Sequence, residues 1–374
     1  MKKTVLIILI AICVLPFKIY AQGCSDDGGE DGVKIIGFVQ SEYQYQFLGD
    51  SVQSVMNGLD KPSSFYFNRA RLGATGTIPY DFSYYFLAEF SPSHGGPYIL
   101  DAFVTYKRFA PYFIVSMGQF KSQFGLELTT ACHGLYSVNR SQVVNELASP
   151  FRDQGVLILG STGDKKILGM EHSDIFTYRL AITNGQGLNK YDGNMDKDVT
   201  ARLVFQPIED VKIGGSFRWG KQKPIQASEP DDTRRRWGVD LSVEKANILF
   251  QAEYINGLDQ GSSLVGGGCG SSPTIQKGDF NKDGFWTAIM YKFDNGFAPI
   301  LKYQYYSVNS SVATIPHQTQ DAAIVGFNYY FNDWTRLQLN YVITKDNLNH
   351  NTFMDSDSNF SKNFVVVQLQ AKFN

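Results

Sequence analysis

"LGATGTIPYDFSYYFLAEF", residues 72–90, is the stretch that decides the fold class. It is crowded with aromatic residues and carries two charges, Asp81 and Glu89. A buried helix of this length would not hold Pro79 followed by the turn-forming Tyr80-Asp81. On each side of that break the apolar residues recur at every second position, which is the period of a strand. The stretch reads as two strands, a turn of two or three residues, and one aromatic face that needs an apolar surrounding.

The same alternation extends outward along the chain. In "NRARLGATGTI" (68–78), Ala70, Leu72, Ala74, Gly76 and Ile78 share one face, and Arg69, Arg71, Gly73, Thr75 and Thr77 share the other. In "RRWGVDLSVE" (235–244), Trp237, Val239, Leu241 and Val243 oppose Arg236, Gly238, Asp240, Ser242 and Glu244. The last segment, "NFVVVQLQAKF" (363–373), sets Val365, Val367, Leu369, Ala371 and Phe373 against Gln368, Gln370 and Lys372. A soluble sandwich also alternates, but its strands average about 5–6 residues, and these run to about ten or more. The apolar faces are almost free of charge. Short connections (Pro79-Tyr80, Ala110, 207–209, Ala246, 294–296, Asn332-Asp333) mostly alternate with long ones (48–63, 122–152, 185–196, 221–232, 258–282, 309–319, 346–361). These features predict an all-β transmembrane antiparallel barrel of about sixteen strands, with short periplasmic turns and long outer loops. The aromatic face then meets lipid and the opposite face lines a lumen. The longest connection, 122–152, is the third outer loop, expected to fold inward and narrow the pore.

Composition agrees. Of 374 residues, 43% are hydrophobic and 19% charged, so the chain is not disordered, and a net charge of −2 gives no bulk basic signal for nucleic acid. Residues 1–21 read as a signal peptide, with Lys2 and Lys3 before the apolar run Val5–Phe17 and cleavage after Ala21. Removal takes the net charge to −5. An acidic segment, 22–33, precedes the barrel at 34–374. Cys24 in "AQGCSDDGGED" is a candidate for lipidation, although Ala21 and Gln22 fit a lipobox poorly. Cys132 and Cys269 are then left, able to pair in an oxidising compartment.

"FNRARLGATGTIPYDFSYYFLAEF", "DAFVTYKRF", "IVSMGQFKSQFGLE", "SPFRDQGV" and "LAITNGQGLNKYDGNMDKDVTARLVFQP", in this order, resemble the phosphate-selective porin O and P family, in the style of its Bacteroidetes members. The resemblance implies a sixteen-stranded porin of the Gram-negative outer membrane, usually a homotrimer, with an inward third loop. It also implies a dense set of constriction cations. Here the loop region offers Lys121, Arg140 and Arg152 against Glu127, Glu146 and Asp153, so phosphate specificity is the weakest part of the likeness.

Selectivity in such pores comes from charges near the narrowest point. Face parity predicts inward Arg69, Arg71, Lys107, Arg179, Arg202, Lys212, Arg218, Arg236, Lys292, Lys302, Arg336 and Lys372. The inward acids are Glu42, Glu89, Asp101, Asp240, Glu244 and Glu253. The expectation is a modest preference for small anions, phosphate among them. The pathway candidates are Arg69, Arg71, Lys107, Lys121, Arg140, Arg152, Arg202 and Arg218. The plain alternative is that Arg69 and Arg71 merely pair with Glu89 or Asp101, and that Arg152 anchors the loop. "DGNMDKD" places Asp192, Asn194, Asp196 and Asp198 at alternate positions, a candidate calcium loop without the closing Glu of a full hand, and "DFNKDG" (279–284) is a weaker one. No other cofactor is indicated. Rival readings are an outer-membrane hydrolase, a plugged structural or adhesive barrel, and a soluble β-protein. The five His residues form no local nucleophile–base motif.

Overall fold

The computed structural model describes residues 32–47, 63–167, 170–172, 174–224, 229–265, 274–312, 317–346 and 363–373. The signal peptide, nearly all of the acidic segment, Cys24 and Cys269 lie outside these residues.

Strands follow one another almost without interruption. The first six are β1 (Val33–Gln46), β2 (Ser63–Ile78), β3 (Phe82–Glu89), β4 (Tyr98–Phe109), β5 (Phe113–Lys121) and β6 (Arg152–Ser161). A small hairpin, β7 (Lys165–Ile167) and β8 (Met170–His172), precedes β9 (Phe176–Thr183), β10 (Asp198–Ile208), β11 (Val211–Gln222) and β12 (Asp232–Lys245). The chain closes with β13 (Ile248–Val265), β14 (Thr274–Tyr291), β15 (Phe297–Ser310), β16 (Gln318–Tyr330), β17 (Thr335–Asp346) and β18 (Phe364–Phe373). All but β7 and β8 form one closed antiparallel barrel of sixteen strands, sealed where β1 pairs with β18 from Gly37–Phe373 to Gln46–Phe364. Closure leaves no sheet edge, so every backbone group in the lipid layer can find its partner in the ladder.

Turn chemistry explains the tight ends. Tyr80 and Asp81 both take positive φ (69° and 75°), and so do Ala246 and Asn247 (50° and 65°), the mirror-image turn that matches strand twist. The aromatics of the opening stretch and their neighbours form a girdle at this end. Phe82 meets Tyr106 at 5.1 Å, Phe176 stacks on Phe205 at 4.8 Å, and Tyr291 meets Phe293 at 4.6 Å. Between girdles the outward Leu72, Val104, Met117, Leu203, Val239 and Leu369 are exposed to the lipid side.

Three features depart from the sequence expectation. First, 258–282 is mostly strand rather than loop, because β13 and β14 continue their pairing from Ile248–Tyr291 to Val265–Thr274. The DFNKDG candidate therefore sits on β14, where Asp279, Asn281 and Asp283 stand about 7 Å apart in sequence along an extended chain instead of curling round an ion. Second, the connection from β6 to β9 carries the β7–β8 hairpin. Third, the inner face is not uniformly polar. Phe103, Phe120, Leu157, Leu159 and Ala181 form a buried apolar cluster on the lumen side of β4 to β9. This part of the lumen is packed as a protein core is packed.

Candidate functional site

The third loop, residues 122–151, enters the barrel and crosses it. It carries two short helices, α1 (Leu126–Thr129) and α2 (Gln142–Leu147). Phe124, Leu128, Val143, Val144, Leu147 and Ala148 are fully buried against Ile255, Trp286 and Tyr306 of the far wall. Burial of one such side chain contributes about 1.5–3 kcal/mol, so the loop is fixed as a core element. Polar contacts complete the anchoring. The Glu253 carboxylate accepts from the backbone N–H groups of Leu126 and Glu127 (both 3.0 Å) and from Trp286 Nε1 (2.9 Å). It thereby supplies α1 with the acceptors that its own N-terminus lacks. Lys302 Nζ donates to Glu127 Oε1 (2.5 Å) and Ser137 Oγ (3.1 Å). Asn340 Oδ1 accepts from Val138 N–H (2.8 Å), while Gln338 Nε2 and Asn328 Nδ2 both donate to Tyr136 O (3.0 Å each).

One side of the lumen is braced by ion pairs. Arg202 pairs with Asp240 (2.6 Å), Arg218 with Asp198 (2.9 Å) and Arg236 with Asp259 (2.9 Å). Away from this side, on β6, Arg152 is bidentate to Asp101 (3.0 and 3.1 Å) and stands directly across the ladder from Lys121. Arg218 and Arg236 also donate to Ser149 O at 3.0 and 2.7 Å, which ties the loop's exit to the wall. Arg152, Arg202 and Arg218, read from sequence as pathway residues, are thus each held by a carboxylate and are each less than a tenth exposed.

The other side is different. A bulge in β2 inserts Asn68, since Gln40 faces Arg69 while the next residue, Ser41, faces Phe67. The bulge turns Asn68 and Arg69, adjacent in sequence, both into the lumen. Arg69 and Arg71 meet Lys121, at the end of β5, and Arg140 of the loop around Cys132. Arg71 Nη1 lies 3.1 Å from Cys132 Sγ, and Arg140 Nη2 and Nη1 lie 3.4 and 3.5 Å from it. Lys121 Nζ and Arg140 Nη2 share one acceptor, Thr130 O, at 2.6 and 3.0 Å. Gln40 links the cluster to the wall, accepting from Arg69 Nη1 at 2.8 Å and donating to Gln370 Oε1 at 2.7 Å. Among the described residues Glu89 is the carboxylate that pairs within the cluster, 2.8 Å from Arg71 Nε. Arg69, Lys121 and Arg140 have no ion pair there. Burial by itself would push the Cys132 thiol up, but Arg140, Arg71, Arg69 and Lys121 outweigh it and hold the thiol well below its ordinary range.

Four of the eight predicted pathway residues therefore converge: Arg69, Arg71, Lys121 and Arg140. Lys107 stands apart, half-buried toward the short-turn end of β4. The four residues of the candidate calcium loop do not face one centre. Asp192 pairs with Lys197, which holds its carboxyl below the usual range, Asp196 pairs with Lys221 at 3.2 Å, and Asp198 belongs to the Arg218 brace. Among the described residues no three His, Cys, Asp or Glu side chains gather as metal ligands. Cys132, Gln40 and Glu253 were not singled out for these roles from sequence. Glu253 was legible only as an inward acid, and Cys132 as a cysteine with an undetermined partner. Its thiol is free and buried. At the rim, Ser307 Oγ lies 2.9 Å from His317 Nε2, a pair that no local motif announces.

A family model described as phosphate-selective porin O and P matches residues 39–227 and 225–373. Among curated proteins none matches. Solved structures with the same fold include an anion-selective porin from Comamonas acidovorans, 10% identical with a TM-score of 0.63, covering 92% of this chain and 100% of that one. The outer membrane channel DcaP of Acinetobacter baumannii is 15% identical, with a TM-score of 0.61 and coverage of 94% and 100%. OmpT of Vibrio cholerae, in a trimer form, is 13% identical, with a TM-score of 0.60 and coverage of 91% and 99%.

Proposed function

This chain belongs to the phosphate-selective porin O and P family and is a diffusion channel of the Gram-negative outer membrane; we propose that its constriction prefers small anions, inorganic phosphate among them, through a seat made by Arg69, Arg71, Lys121 and Arg140. One observation carries this reading: three buried or half-buried basic side chains, Arg69, Lys121 and Arg140, gather with no ion pair of their own among the described residues. An uncompensated buried charge costs several kcal/mol, so such a cluster is tolerable where a mobile anion neutralises it. Guanidinium groups suit the task, since each can offer two parallel N–H donors to a phosphate or carboxylate. The paired arginines across the lumen are neutral as units and serve the shape of the pore. Lys107 adds a positive charge near the short-turn mouth, outside the seat.

The reading extends to a homotrimer, supported by the trimer form of OmpT with the same fold. The tight packing of the third loop also predicts a small single-channel conductance. The test is the chloride current of the purified protein in a planar bilayer with phosphate added at constant ionic strength. Block of that current by phosphate, weakened in Arg140→Gln, is expected. Phosphate-insensitive chloride current would reduce the reading to a general anion pore, and cation current would refute it.

A further inference from the structure

Cys132 occupies the centre of the seat in a way that the passage of ions does not require. Its Sγ lies within hydrogen-bonding reach of two guanidinium groups, Arg71 at 3.1 Å and Arg140 at 3.4 Å. A neutral thiol is a weak acceptor and a poor partner for two buried guanidinium groups, whereas a thiolate is an anion of the kind the seat is built for. Next to it, Arg69 is 8% exposed, gives a single hydrogen bond to an amide oxygen and meets no carboxylate within ion-pair distance among the described residues. The seat therefore has positive charge to spare even with the thiolate in place, so a second anion is attracted toward the sulfur.

We infer that Cys132 is a covalent modification site for small disulfides that carry carboxylates, and that the adduct closes the seat. The inference rests on the anion-seat reading given above. The Cys132 thiolate attacks one sulfur of the incoming disulfide, R–S–S–R. A new Cys132–S–S–R bond forms, the old S–S bond breaks, and R–S⁻ leaves as a thiolate. The Cys132 sulfur is oxidised from −2 to −1, the leaving sulfur is reduced from −1 to −2 and the sulfur under attack stays at −1, so no further oxidant is needed. The seat acts on each stage: its cations attract the anionic reagent, hold the attacking sulfur as thiolate and stabilise the departing one. The carboxylate left on the adduct lies among Arg69, Arg71, Lys121 and Arg140, where it replaces the permeant anion. A small free thiol reverses the reaction by the same exchange.

The probes are 5,5′-dithiobis(2-nitrobenzoate), a dianion, and 4,4′-dithiodipyridine, which is neutral. Each releases a coloured thiol. The protein is the full-length porin with Cys24→Ser and Cys269→Ser, so that Cys132 is the thiol that reports. Each rate is normalised to that of the same chain unfolded, which removes the reagents' intrinsic difference. Steering by a charged cleft raises association by about 10- to 1,000-fold. The dianion is therefore expected to gain at least about tenfold over the neutral probe, to lose that gain at high salt, and to silence chloride current until dithiothreitol restores it. In the wild-type porin, peptide mass mapping must place the adduct on Cys132, which covers failure of the double variant to fold. Equal normalised rates, or no adduct on Cys132, would overturn the inference. Reversal potentials in a KCl gradient separate the two readings: anion selectivity without reaction at Cys132 sinks the modification alone, and cation selectivity sinks the seat itself.

Discussion

The two sides of this lumen hold similar numbers of arginines and use them in opposite ways. Along β10 to β14, each of Arg202, Arg218 and Arg236 lies against an aspartate and is removed from water with it. Around β2, β5 and the third loop, Arg69, Lys121 and Arg140 gather with Arg71 while Glu89 is the paired carboxylate among them. Positive charge on a pore wall therefore says little until its partners are known. A paired arginine is a brace, and an unpaired cluster is a field.

The comparison can be broken at several points. The largest effect is expected on the braced side. Asp240→Ala leaves Arg202 buried without its counter-ion and should cost about 3–5 kcal/mol, read as a lower unfolding temperature in detergent, with ion preference retained in the protein that folds. On the open side the effects change kind. Arg69→Ala should lower chloride over potassium permeability about fivefold, the equivalent of the ~1 kcal/mol that a unit charge exerts at 4 Å even in water, while the unfolding temperature stays nearly constant. Glu89→Gln removes the paired carboxylate of the cluster and should raise anion preference in the opposite sense. It also loses charge-assisted bonds to Arg71 and to the N–H groups of Ala70 and Ser91, costing about 1–3 kcal/mol. The smallest effect belongs to Lys107→Ala. Lys107 lies six residues down β4 from Asp101, about 20 Å away along the strand, beyond the ~8 Å screening length of physiological salt. Its loss should change the permeability ratio less than about 1.5-fold in bilayer recordings at that ionic strength.

Much of this was legible in the sequence, for a physical reason. A membrane strand with one lipid-facing side must alternate strictly, so Leu72 and Arg71 declare their faces by parity alone. Short turns show themselves through residues such as Ala246-Asn247 between two apolar runs. The inward acids Glu89, Asp101, Asp240 and Glu253 and the inward arginines followed from the same rule. Parity does not tell which of them meet. Arg71 and Glu89 face one another by register, as considered from the sequence, but Arg152 with Asp101 joins strands whose stagger is set by three dimensions. The Asn68 bulge is invisible to a period-two reading because it breaks that period for one residue. Residues 258–282 read as a loop because Gly and Ser are their commonest residues and the apolar alternation is lost, yet strands that rise beyond the membrane meet water on both faces and need no such alternation. Cys132 could not be placed at all from spacing, since its surroundings come from β1, β2, β5 and its own loop at once.

The central claim is that the unpaired cluster, and not the set of paired arginines, decides what passes. The zero-current potential of the purified porin under a KCl gradient tests it most directly, with Arg69→Ala and Arg140→Ala measured beside Lys107→Ala. The account predicts a potential of the sign for anion selectivity, diminished by each of the first two substitutions and left nearly unchanged by the third. A potential of the cation sign in the wild-type protein, or one untouched by loss of Arg69 and Arg140, would contradict it.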